Sequence, residues 1–119
     1  MKNSPLLNCF KHAAGGLAAA FRRESNFRIQ LVLGVLAIVA TLAINPTLIW
    51  TALVVIMIGA VLAAELLNTA LEHALDAAHP EPSPLVKIAK DCSAAAVLVL
   101  SITAVVVFLL MLLALLHGA

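Results

Sequence analysis

The chain has 119 residues, 64% of them hydrophobic and 11% charged, against about 25% charged residues in an ordinary soluble domain. Seven basic and six acidic residues leave a formal net charge of +1, so no nucleic-acid partner is expected and the basic residues are read for topology instead. Apolar stretches at 29–44, 48–64 and 92–116 define an all-α integral membrane protein, because about 20 residues cross a bilayer core.

Residues 6–23 are predicted to form an amphipathic surface helix. Leu6, Phe10, Leu17 and Phe21 supply apolar contacts, and Lys11, Arg22 and Arg23 can meet anionic headgroups. Gly15 and Gly16 weaken this helix. The region has no apolar core followed by a small-residue cleavage site, so the first span is expected to insert without a removable signal. Glu24, flanked by Arg22, Arg23 and Arg28, is either a solvated carboxylate in an ionic cluster or a site residue. Gln30, just inside the first span, should seek a hydrogen-bond partner on another helix.

Three spans are predicted at about 28–45, 48–78 and 84–117, in one domain covering 1–119. Asn45-Pro46 marks the first turn, and Trp50 beside it suits the membrane interface. The second span must run on as helix beyond the membrane to about Ala78. Pro80-Glu81-Pro82-Ser83-Pro84 breaks it, with Ser83 as N-cap and Pro84 as first residue of the third helix. Lys2, Lys11, Arg22, Arg23, Arg28, Lys87 and Lys90 all precede the first span or lie between the second and third. By the positive-inside rule the N-terminus is cytoplasmic and the C-terminus outside. Cys9 and Cys92 then sit on the reducing side and are expected to be buried thiols. Three helices offer little interior, and small residues such as Ser93-Ala94-Ala95-Ala96 favour close packing, so a homo-oligomer is expected.

The residues with chemistry converge on 65–76. At about 100° per residue, Glu65, Asn68, Glu72 and Asp76 fall within about 80° of one another on a single helical face. Such an acidic stripe at the end of an apolar segment faces a water-filled cleft or a cation rather than lipid. Hard oxygen ligands of this kind suit Mg²⁺, a carboxylate left off the metal can serve as general base, and Lys90 can neutralise a phosphate. These are parts of a phosphoryl-transfer site, although no GxxxxGK[ST] or GxGxxG loop is present. Two other classes stand beside this reading, an ion-coupled transport subunit and a small assembly protein. The first expects a carboxylate near the bilayer midplane, and the second leaves the clustering unexplained.

Glu65-Leu-Leu-Asn68-Thr69-Ala-Leu-Glu72-His-Ala-Leu-Asp76 and, after a short loop, Ala89-Lys90-Asp91-Cys-Ser-Ala-Ala-Ala-Val resemble the prokaryotic diacylglycerol kinase family, including its undecaprenol kinase branch. Gly16-Leu17 and Glu24-Ser-Asn-Phe27-Arg28 match the family's N-terminal motif, so the resemblance covers nearly the whole chain. It implies a homotrimeric bundle in the bacterial cytoplasmic membrane, ATP and Mg²⁺ as cosubstrate and cofactor, and a lipid alcohol as acceptor. On the same basis Glu65 resembles the general base, Glu24 and Glu72 the metal ligands, and Gly16, Asn68, Asp76, Lys90 and Asp91 the nucleotide and phosphate surroundings. Gln30 departs from the family, some members of which carry a second acid there. The Glu24 and Glu65 stretches look more like the undecaprenol kinase branch than the enterobacterial diacylglycerol kinases.

Overall fold

The computed structural model describes residues 5–118, all-helical in its regular structure; Lys2, counted above for topology, lies outside the described residues. Four helices follow in order: α1 (Leu6–Arg23), α2 (Ser25–Ile44), α3 (Leu48–Ala78) and α4 (Pro84–Leu116). Helices α2, α3 and α4 are each long and apolar enough to cross a membrane.

Each corner has a local cause. Glu24 alone separates α1 from α2 in an extended conformation, its N–H donating to the Ala20 carbonyl at 2.9 Å and its own carbonyl accepting from Arg28 at 3.2 Å. The Arg28 guanidinium donates to the carbonyls of Phe21 (2.8 Å) and Arg22 (3.2 Å), groups the end of α1 leaves without helical partners. That use of Arg28 corrects the expected ionic cluster: among the described residues Glu24 forms no ion pair. Asn45 ends α2 at φ 54°, the left-handed conformation its short polar side chain tolerates, and Pro46 prevents the helix from continuing. Ser83 and Pro84 open α4 as predicted, but the Ser83 side chain makes no capping hydrogen bond.

Helix α3 is the centre of the arrangement. It packs on both α2 and α4, α1 packs across α2 and α3, and α2 and α4 do not pack on each other. Phe27, Gly34 and Thr41 of α2, at steps of seven residues, are buried, as are Val54 and Val61 of α3 and Val97 and Met111 of α4. At Gly34 the approach is close enough that a Cβ would lie 2.9 Å from Ile58 Cγ2.

Little else is enclosed. The radius of gyration is 17.4 Å, whereas a compact domain of this length has one of about 13–14 Å, and long rows of Leu, Ile and Val on α2, α3 and α4 are exposed. In a membrane those rows meet lipid tails or further helices at no cost in hydration. The buried-thiol expectation is corrected here too, since Cys9 is half-buried and Cys92 exposed. Cys92 lies on α4, which has α3 as its one neighbouring helix.

Candidate active site

Depth along the helices sets the stage. At 1.5 Å per residue, Gln30 lies about 21 Å from the far end of α2, Ser101 about 22 Å from that of α4, and Glu65 about 26 Å from Leu48. Glu65 therefore reaches the inner edge of a hydrocarbon core about 30 Å thick. Glu72 and Asp76 stand about 36 and 42 Å from Leu48, beyond that core. The chain thus delivers its polar residues to one end of the bundle, ordered from dry to wet.

Glu65 is 5% exposed, and among the described residues it is the one buried carboxylate. Gln30, Glu24 and Glu72 lie close enough to act on it electrostatically. One helical turn on, the Asn68 amide donates to Glu72 Oε1 at 3.3 Å, while Asn68 Oδ1 is buried with no partner. A buried acceptor left open costs about 1–3 kcal/mol, so Asn68 Oδ1 suits a bound donor such as a water or a hydroxyl.

The remaining charges form a second group. Lys90 Nζ donates to Asp76 Oδ1 at 2.5 Å, joining α4 to α3, and Lys87 Nζ donates to Asp91 at 2.6 Å along α4. Together with Pro80 and Ser83 these four side chains line an open cleft of about 690 Å³ under the α3–α4 connection. Gly16 lies elsewhere, in a cleft of about 580 Å³ between α1 and α3, opposite Leu66, Thr69 and His73. It borders the face of α3 adjoining the acidic stripe rather than the stripe itself.

Sequence reasoning missed two of these contacts. The Lys87–Asp91 pair is an i,i+4 ion pair, the spacing at which helical side chains meet, so the signal was present. Ser101, which accepts the Gln30 amide at 3.0 Å, was not singled out; its signal is a hydroxyl within an apolar run at the same depth as Gln30.

The donor set agrees with magnesium in kind. Among the described residues no three of His, Cys, Asp and Glu gather into a metal-binding group, but Mg²⁺ takes one or two carboxylates and completes its shell with waters and phosphate oxygens. Glu24 and Glu72, both within electrostatic reach of Glu65, would supply two carboxylates, and Asn68 Oδ1 would accept from a metal-bound water.

These features define a three-span membrane protein with a buried carboxylate, two further carboxylates, a carboxamide and a paired lysine at one end. The profile of the prokaryotic diacylglycerol kinases matches residues 11–112, and the chain belongs to this family of lipid kinases. It is 41% identical to a diacylglycerol kinase of Synechocystis over 103 residues, covering 86% of this chain and 59% of that protein. It is 32% identical to the undecaprenol kinase of Bacillus subtilis over 101 residues, 85% of this chain and 82% of that one. With a diacylglycerol kinase of Haemophilus influenzae the identity is 34% over 94 residues, 79% and 80% of the two chains.

Proposed function

We propose that this protein transfers the γ-phosphoryl group of ATP, with Mg²⁺, to the primary hydroxyl of a membrane lipid alcohol, undecaprenol being the favoured acceptor. The observation that carries this reading is the burial of Glu65 at the apolar end of the polar stripe. A lipid hydroxyl rising from the bilayer meets Glu65 before it meets any other carboxylate of the stripe. Glu65 accepts the hydroxyl proton as the oxygen bonds to the γ-phosphorus and the bond from that phosphorus to the ADP oxygen breaks. A positioned base of this kind contributes a factor of about 10²–10⁴ in rate.

Glu24 and Glu72 would hold the metal, which neutralises phosphate charge when bound. Lys90, held by Asp76, faces the phosphates, with Asn68, Asp91 and Gly16 completing the nucleotide's surroundings. Lys11, Arg22, Arg23, Arg28, Lys87 and Lys90 stand at this end and none stands in the α2–α3 connection, which supports a cytoplasmic site in the inner membrane with the C-terminus outside. Helix α1, with Leu6, Phe10, Leu17 and Phe21 exposed, lies on the membrane surface. The exposed apolar rows of the spans support a homotrimer. An ion-coupled transporter expects a carboxylate at mid-depth, and Glu65 lies well past it.

Undecaprenol is favoured by the Glu24 and Glu65 stretches and by the likeness to the Bacillus subtilis protein. Diacylglycerol is the second reading, favoured by the 41% identity to the Synechocystis protein. Side-by-side kinetics of the purified protein with the two acceptors in the same mixed micelles decide between them: a higher kcat/KM for undecaprenol is expected, and a higher value for diacylglycerol reverses the assignment.

A further inference from the structure

Lys87 has no part in the reaction described above, yet it stands in the cleft into which the acidic stripe runs. Asp76 is the last carboxylate of that stripe, one turn of α3 beyond Glu72. It lines the open cleft of about 690 Å³ under the α3–α4 connection together with Lys87, Lys90 and Asp91. Lys90 Nζ is tied to Asp76 at 2.5 Å, and Lys87 Nζ to Asp91 at 2.6 Å. The cleft thus carries two lysines, each held by its own carboxylate.

We infer that Lys87 is a second phosphate-binding lysine, held by Asp91 as Lys90 is held by Asp76. The inference rests on the kinase reading and adds a residue to its nucleotide site. Lys87 and Lys90 are three residues apart on α4, so they are neighbours on one helical face, with Lys87 about 4.5 Å farther from the apolar run. An ammonium has three N–H donors and no acceptor. Each lysine uses one donor on its carboxylate and keeps two for an anion. A triphosphate whose reacting end lies near Glu65 and Glu72 meets Lys90 first and Lys87 next as it leads out toward the connection.

The charges of the cleft make the second lysine necessary. Glu81 lines it as well and, among the described residues, has no ion pair. Without Lys87, a polyanion would meet Asp76, Asp91 and Glu81 with Lys90 as the one lysine against them. Fold stability gives the Lys87–Asp91 pair little reason to exist: the two side chains are 76% and 65% exposed, and an exposed i,i+4 ion pair adds little to a helix. Removing the ammonium therefore acts on anion binding rather than on folding.

The test uses the whole chain in detergent micelles with Mg²⁺ and measures binding of ATP, inorganic tripolyphosphate and adenosine by competition with a fluorescent ATP analogue. Lys87→Met should weaken ATP and tripolyphosphate by the same factor of about three to ten, one charge-assisted contact discounted for exposure, and leave adenosine binding as it was. In turnover assays the loss should appear in KM for ATP rather than in kcat. It should fade at about 1 M salt, where the Debye length is about 3 Å, and Lys87→Arg, which keeps the charge, should restore binding. Equal tripolyphosphate binding by wild-type and Lys87→Met protein, or a loss confined to adenosine, would overturn the inference while leaving the kinase reading in place. A lowered thermal midpoint with wild-type affinity for tripolyphosphate would overturn it equally, assigning the Lys87–Asp91 pair to the helix alone. Wild-type protein that binds neither ATP nor tripolyphosphate would remove the inference together with the kinase reading.

Discussion

Gly34→Ala is the substitution whose consequence follows most directly from the packing. The added Cβ would lie 2.9 Å from Ile58 Cγ2, about half an ångström inside ordinary contact, which begins near 3.4 Å. Ile58 has little room to yield, since a β-branched side chain in a helix is held to essentially one rotamer. The helices must therefore part or the side chain must leave its rotamer, at a cost of about 1–3 kcal/mol, typical of an overfilled interior. Reversible unfolding in SDS should show the loss of stability. Ile58→Ala opens the space again, so the double variant should be more stable than the summed single costs by at least about 1 kcal/mol. A Gly34→Ala protein of wild-type stability, or strict additivity with Ile58→Ala, would refute the close approach of α2 and α3.

Three further outcomes are expected. Glu24→Gln and Glu72→Gln should each raise the Mg²⁺ concentration needed for half-maximal activity while leaving helicity and oligomer size intact; unchanged metal titrations in both would remove them from the metal site. Lys90→Met should raise KM for ATP by about tenfold or more through loss of a charge-assisted contact, yet change stability by less than about 1 kcal/mol because the Asp76 partner is largely exposed; the opposite pattern in thermal melts and kinetics would make the pair structural. Mixing inactive Glu65→Gln and Glu24→Gln proteins should restore some activity if neighbouring chains share each site, and verified mixed trimers without activity would confine both residues to one chain's site.

The helical plan was legible because the physics that builds it is local. Apolar runs of bilayer length, Asn45-Pro46 and the proline cluster before α4 each act within a few residues. The continuation of α3 to Ala78 was readable as well, since Glu65, Asn68, Glu72 and Asp76 share a face only if the helix goes on. What stayed hidden depends on which neighbour reaches a side chain first. On paper Arg28 belongs with Glu24 in an ionic cluster, but the free carbonyls at the end of α1 take it. Lys90 and Asp76 are 14 residues apart and meet only because α4 folds back along α3. Ser101 is one hydroxyl in an apolar stretch, and its bond is visible only once Gln30 faces it from another helix.

The central claim is that Glu65 takes the proton of a lipid hydroxyl as phosphate is transferred from ATP. Single-turnover phosphorylation of undecaprenol by wild-type and Glu65→Gln protein, with ATP binding measured on the same samples, tests it most directly. Replacing the carboxylate by an amide preserves shape and removes the base, so phosphoryl transfer should fall by at least about 10²-fold with the Kd for ATP nearly unchanged. Near-normal transfer by Glu65→Gln, or a loss explained entirely by weakened ATP binding, would contradict it.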